Sequence, residues 1–329
     1  MEAANITIEE LVPSFEQKVV ILGHIRPDGD CVGSCMGLYH YLHDNMPELD
    51  ITVCLQEYDH SFKSVLPGTE VIVPMSEMDM TQVFDLCITC DASGMERLGD
   101  AAVLFDNAKD TVCIDHHITN QGFAKINYIR GGLSSTGEAL CELFDFTKIS
   151  EACAACLYLA IAHDTGIFKF QATTCDTMMY AGKLLDKGVN PAEIIDRTYY
   201  MCTPAHAKLL GRALSVYETA MNGMFVYTVI TQKDIAECGA RRPDLDGIID
   251  QLRIIEGVEA AAFIYQLENG HYKVSMRSNR IVDCSIICTE LGGGGHVNAS
   301  GADTELTVDE LLGHVMKGVE LQLKKHDML

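Results

Sequence analysis

Tryptophan is absent from the 329 residues, and the aromatic residues make up only 7%. Any stacking on a nucleobase must therefore use Tyr, Phe, His or the plane of an Arg, which suits brief contact with one or two bases better than a long strand. Basic residues are also scarce: 24 Lys and Arg stand against 47 Asp and Glu, a formal charge of −23. That balance excludes the broad basic face with which proteins hold duplex DNA or an anionic membrane, but not a small phosphorylated substrate. No apolar run approaches the roughly 18 residues of a membrane span. The N-terminal stretch MEAANITIEELVPSFEQ lacks the basic and apolar segments of a signal peptide. A cytoplasmic protein is expected, its 14 cysteines reduced. Internal repeats and low-complexity tracts are missing too. What remains, 48% hydrophobic and 22% charged residues, is the composition of a globular chain long enough for about two domains.

Four short apolar runs punctuate the first half, VVILG at 19–23, ITVCL at 51–55, FDLCIT at 84–89 and TVCID at 111–115, with helix-like segments at 33–42 and 96–104. This alternation predicts an α/β domain with a mainly parallel sheet flanked by helices. Cys87 and Cys90 have thioredoxin-like spacing but fall inside an apolar run, so they read as core thiols, as do Cys153 and Cys156. Residues 136–200 read as helical. A smaller α/β domain begins near Gly223, with strands at 224–231, 260–267 and 271–276 and helices at about 244–256, 283–290 and 307–325. The expected division is 1–188, a helical linker at 189–222, and 223–329.

Three of the four runs end directly in ligand-type side chains. His24, Asp28 and Asp30 follow the first, Asp91 the third, and Asp115, His116 and His117 close the fourth; Asp164 follows the apolar stretch LYLAIAH. The carboxyl ends of strands in an open α/β sheet are where binding groups collect. Capping of the next helix by the loop aspartates is the plainer alternative for residues 24–30. Gathered carboxylates repel one another unless cations neutralise them. Four carboxylates with two imidazoles exceed one zinc site and approach what two metals need. Imidazole in the set favours Mn²⁺, Fe²⁺ or Co²⁺ over Mg²⁺, and paired metals point to phosphoester hydrolysis. In the second half Gly292–Gly295 precede His296, so backbone N–H groups could approach an anion closely; a plain glycine-rich hairpin is the alternative. Residues 271–301 hold Lys273, Arg277 and Arg280 against Asp283 and Glu290, a small local excess of positive charge.

The segments GHIRPDGDCVGS, CDASG, Asp115-His116-His117 and GGGGHVNASG together resemble the DHH phosphoesterases that carry a DHH-associated C-terminal domain. Within them the chain is most similar to the NrnA-like group, bifunctional oligoribonucleases (nanoRNases) and pAp (3′-phosphoadenosine 5′-phosphate) phosphatases. The resemblance implies an active site in the cleft between the DHH domain and the DHH-associated domain. It implies that His24, Asp28 and Asp91 hold one Mn²⁺ and that Asp30, Asp91, His116 and Asp164 hold another. A hydroxide between the two metals would attack phosphorus, with His117 facing the scissile phosphate and Asp115 orienting its histidine neighbours. Arg277, Gly293, Gly294, Gly295 and His296 would clamp the distal phosphate or terminal nucleotide. Ser135, in the Ser134–Gly137 loop, reads equally as a helix cap or a substrate contact. Expected substrates are short RNA oligonucleotides such as pApA, and pAp; long duplex nucleic acid and membranes are not expected partners, and homodimerisation is left open. A stand-alone cyclic di-AMP or pApA phosphodiesterase, or a non-catalytic nucleotide sensor, are the alternatives.

Overall fold

Parallel strands buried on both faces read as unbroken apolar runs, and the runs of the first half form such a sheet in the computed structural model, which describes residues 6–12 and 17–329. The chain divides into two compact units, Met1–Met201 and Cys202–Leu329. In the first the order is α1 (Ile8–Leu11), β1 (Lys18–Leu22), α2 (Gly29–Asn45), β2 (Asp50–Leu55), α3 (His60–Val65), β3 (Ile72–Pro74), β4 (Leu86–Cys90), α4 (Ala102–Asn107), β5 (Asp110–Asp115), β6 (Ile126–Ile129), α5 (Thr136–Leu143), α6 (Glu151–Asp164), α7 (Cys175–Leu185) and α8 (Pro191–Ile195). The six strands pair in the order β3-β2-β1-β4-β5-β6, all parallel.

Alternation along β1 sends Val19 and Ile21 into one apolar layer and Val20 and Leu22 into the other. The larger layer packs α2 against α6, and the helices meet at small residues. A Cβ on Gly33 would lie 2.5 Å from the Cys156 carbonyl oxygen and 2.9 Å from the Ala160 nitrogen. Gly33→Val should therefore destabilise this unit by about 1–3 kcal/mol through overpacking. That corresponds to roughly 2–4 °C of Tm per kcal/mol for a unit of this size, read by thermal unfolding; an unchanged Tm would argue against the close α2–α6 contact. Cys87 and Cys90 are buried on β4 and Cys153 and Cys156 on α6, all as free thiols.

The second unit contains α9 (Pro204–Ser215), β7 (Glu218–Ala220), β8 (Phe225–Ile230), α10 (Gln232–Cys238), α11 (Ile248–Arg253), β9 (Ala260–Gln266), β10 (Tyr272–Ser278), α12 (Cys284–Glu290), β11 (Gly294–His296), β12 (Ala299–Thr304) and α13 (Val308–Lys325). Its sheet runs β11-β12-β10-β9-β8-β7, parallel only between β8 and β9. One face carries α12 and α13; the other carries α9, whose Leu209 and Ala213 are buried beneath it, and α11. Among the described residues no helix is long and apolar enough to cross a membrane.

Candidate active site

The first ligand-type loop leaves β1 and enters α2. Asp28 is the N-cap of that helix, its Oδ1 accepting from the backbone N–H groups of Asp30 and Cys31, both at 3.1 Å. The same oxygen lies 3.7 Å from His24 Nε2, so capping and membership of the cluster coexist in one carboxylate. His24 Nδ1 donates to the Ile25 carbonyl oxygen (2.8 Å), and this turns Nε2 inward to 3.4 Å from Asp91 Oδ2. Asp91 itself follows β4 in the left-handed region (φ 59°), which takes its side chain out of the strand direction. Its other oxygen, Oδ1, accepts from Thr136 Oγ1 (3.1 Å) and faces His116 Nε2 (3.6 Å) and His117 Nδ1 (3.7 Å).

Asp30 is wholly buried. The N-terminus of α5 cradles it: Thr136 N–H donates at 2.7 Å and Gly137 N–H at 3.0 Å, with Ser34 Oγ at 2.9 Å. His116 donates from Nδ1 to the Leu133 carbonyl oxygen (3.2 Å) and brings Nε2 to 3.7 Å from Asp30 and 3.2 Å from Asp164, the last residue of α6. Asp115 turns away from this group. Fully buried, it accepts His117 Nδ1–H at 2.7 Å on one oxygen and Asn120 Nδ2–H at 2.7 Å on the other. His117 is 40% exposed on its side chain.

Charge balance tests whether these groups suit a cation. Burial, then the neighbouring Asp91, Asp164 and Asp28 carboxylates, push Asp30 well above the ordinary carboxylate range. Burial and the same crowding raise Asp164 to about 6 despite the opposing His116. Burial would lower His24, but hydrogen bonds to Asp28 and Asp91 outweigh it and raise the imidazole to about 11. Burial and carboxylate crowding raise the two acids, and the neighbouring carboxylates raise the imidazole against its burial, so the cluster favours bound positive charge. The donor atoms are carboxylate oxygen and imidazole nitrogen, suited to a borderline or hard divalent cation. Sets such as Asp30, His116 and Asp164 place one donor atom each within 4.8 Å of one another. The residues fit a divalent metal.

Two neighbours were not picked out in the sequence. His163 joins Asp28 and Asp164 in one such set, and Cys31 joins His24 and Asp91. His163 directly precedes Asp164, which was a usable signal; Cys31 looks in sequence like any core thiol of α2. Ser135 caps α5 from a wholly buried position, its hydroxyl accepting from Glu138 N–H at 3.0 Å.

In the second unit Arg277, Gly293 and Gly294 line one open groove of about 590 Å³ together with Lys273 and Ser300. Gly295 and His296 lie on edge strand β11 outside that lining, and His296 is exposed. Gly293 has a packing reason as well, since a Cβ there would sit 2.2 Å from the Gly301 carbonyl oxygen. The local positive excess of 271–301 is offset from outside the segment. Arg277 lies 3.4 Å from Asp250, Lys273 3.7 Å from Asp303, and Arg280 3.6 Å from Glu259.

A family model described as the DHH family N-terminal domain matches residues 18–161, which include His24, Asp28, Asp30, Asp91 and His116 and stop three residues before Asp164, and a DHHA1 domain matches 222–321. The N-terminal part of the chain thus carries a DHH domain and the C-terminal part a DHHA1 domain. Among curated members, the bifunctional oligoribonuclease and PAP phosphatase NrnA of Thermus thermophilus is 27% identical over 331 residues, covering 97% of this chain and 94% of its own. The Bacillus subtilis protein of the same name is 26% identical, covering 95% of this chain and 97% of its own. A crystal structure of an exopolyphosphatase-related protein from Bacteroides fragilis shares the fold, with a TM-score of 0.81, 24% identity and 92% of each chain covered.

Proposed function

We propose that this chain is a metal-dependent phosphoesterase that hydrolyses short oligoribonucleotides to mononucleotides and dephosphorylates pAp to AMP. The observation that carries the reading is the convergence of Asp28, Asp30, Asp91, Asp164, His24 and His116 at one end of the parallel sheet, in a chain similar over nearly its whole length to proteins named for these activities. In this reading residues 1–188 are the metal-binding part, 189–222 a helical linker and 223–329 the substrate-binding part. His24, Asp28 and Asp91 would hold one cation and Asp30, Asp91, His116 and Asp164 a second; Mn²⁺ is the ion the family resemblance implies, and it is among those that the donor set suits. When bound, the cations supply Lewis-acid neutralisation of the phosphoryl group and make water a competent nucleophile at neutral pH.

The protein's own groups do the rest. Asp115, fixed by Asn120, accepts the hydrogen bond of His117 Nδ1–H, so in the imidazolium form Nε2–H is the group left to donate a proton to the departing oxygen. Thr136 and Gly137 N–H groups fix the Asp30 side chain beside the cluster. Arg277 and the Gly293–His296 loop would receive the distal phosphate or terminal nucleotide.

Purified protein with Mn²⁺ should release AMP from 5′-labelled pApA and phosphate from pAp far faster than it degrades a 24-mer. Equal rates on the 24-mer and the dimer would sink the short-substrate reading. Preference for cyclic di-AMP would move the assignment to a cyclic-dinucleotide phosphodiesterase, and binding without turnover of any member of the panel would make the chain a sensor. Arg277→Ala should raise KM for pApA by about tenfold while kcat stays within about twofold, the signature of lost uniform binding. An unchanged KM for every phosphorylated substrate would remove Arg277 from the clamp.

A further inference from the structure

Beside the ligand cluster, at the carboxyl ends of β2 and β3, lies a cavity of about 430 Å³ that the proposed mechanism does not use. Its walls include Gln56, Tyr58, Lys63, Ile72, Met75 and Ser76. Strand β2 pairs directly with β1, which leads to His24. The cavity therefore begins about 5 Å from the path of the ligand strand and extends across a second strand spacing toward β3. One hydrogen bond joins the two regions: Arg26 N–H donates to Gln56 Oε1 at 2.7 Å. Arg26 sits between His24 and Asp28 with φ 55°, a conformation that a non-glycine residue holds only under constraint. Ile25 N–H to the Arg97 carbonyl oxygen (2.7 Å) supplies the rest of that constraint. The cavity wall and the ligand loop are thus parts of one framework.

The lining is chemically mixed. Ile72, Met75 and the Tyr58 ring are apolar and polarisable, whereas the Gln56 amide and Ser76 hydroxyl bring donors and acceptors. Lys63 Nζ lies 5.1 Å from the centre of the Tyr58 ring. Tyr58 is only 9% exposed, and its hydroxyl, although beside Thr69, makes no hydrogen bond of acceptable geometry among the described residues. The hydroxyl itself is buried, so the Tyr58 ring rather than its oxygen is what the wall offers. Flat, partly apolar ligands with donors and acceptors along their edge match such walls, and the volume is within the range of small-molecule sites.

We propose that this cavity is a nucleobase pocket for the nucleotide whose phosphate lies at the ligand cluster, an inference that rests on the hydrolase reading above. Recognition of the base would then lie within the N-terminal unit, with Lys63 and Tyr58 as specificity-determining residues. The test is titration calorimetry of the full chain with AMP and with ribose 5-phosphate, which differ only in the base. AMP should bind at least tenfold more tightly. Ser76→Trp, which adds bulk to the lining from an exposed position, should abolish most of that difference. Equal affinity for the two ligands, or a difference that survives Ser76→Trp in protein shown folded by circular dichroism, would overturn the pocket. If Ser76→Trp does not fold, Lys63→Ala takes its place under the same two criteria. Kinetics on pAp and its base-free counterpart separate the failures: hydrolysis of both with equal KM leaves the hydrolase standing and removes the pocket. If wild-type protein hydrolyses nothing, the hydrolase reading falls while the AMP to ribose 5-phosphate ratio still decides the pocket.

Discussion

Asp91→Ala should reduce hydrolysis of pApA and pAp on the order of 10³-fold or more and weaken binding of every metal equivalent. Asp91 Oδ2 faces His24 while Oδ1 faces His116, His117 and the Thr136 hydroxyl, so one carboxylate serves both halves of the cluster. Removing it takes a donor from each half at once, which no other single substitution in the group does. Alanine at φ 59° adds backbone strain of roughly 1–2 kcal/mol. Asp91→Asn separates the two effects, because asparagine tolerates the left-handed region and keeps the shape while losing the charge. Both variants should be inactive, and only the alanine variant should lose several degrees of Tm. Metal content after gel filtration is the independent readout, and retention of two tightly bound Mn²⁺ by either variant would contradict the bridging assignment.

Removal of metal should have the second large effect. Chelated protein is expected to lose turnover by at least about 10³-fold, and readdition of Mn²⁺ should restore it. Stability should move in step, since cations that bind only the folded chain stabilise it by about 2.7 kcal/mol at a hundredfold excess over Kd. At roughly 2–4 °C per kcal/mol, Tm should rise by about 5–10 °C. The physical source is the burial, together with the carboxylate crowding, that raises Asp164 to about 6 and Asp30 well above its usual range. Asp164→Asn should therefore leave the chelated protein at least as stable as wild type while shrinking the gain from Mn²⁺. A wild-type Tm indifferent to Mn²⁺, Fe²⁺ and Co²⁺ would count against a metal centre.

Strands β1, β2, β4 and β5 were legible because helices cover both faces of the sheet, so every residue of the run can be apolar. The edge strands were not. β3 has three residues and none buried, and β6 has two exposed and two half-buried. β12 reads ASGADT, with little β propensity of its own, and exists because β10 and β11 pair with it on either side. The α10 segment was likewise missed, a seven-residue helix with only Ile235 buried. At the site, the residue types were visible as polar clusters ending apolar runs. The neutralisation of Arg277, Lys273 and Arg280 was not, since Asp250, Glu259 and Asp303 all lie outside the segment whose charge was counted.

By itself the sequence determined the α/β class, the kinds of donor atom and the strand ends that carry them, because periodicity and polar punctuation are local properties of the chain. Only the tertiary structure decided which oxygen of Asp91 faces which histidine, that Asp28 is both cap and cluster member, that Asp115 serves His117 and Asn120, and that a cavity opens beside the ligand loop. Those relations join residues far apart in the chain; the bond from Thr136 N–H to Asp30 spans 106 positions. Distances of that kind are set by strand order and by the packing of α2, α5 and α6 over the sheet, not by any local pattern.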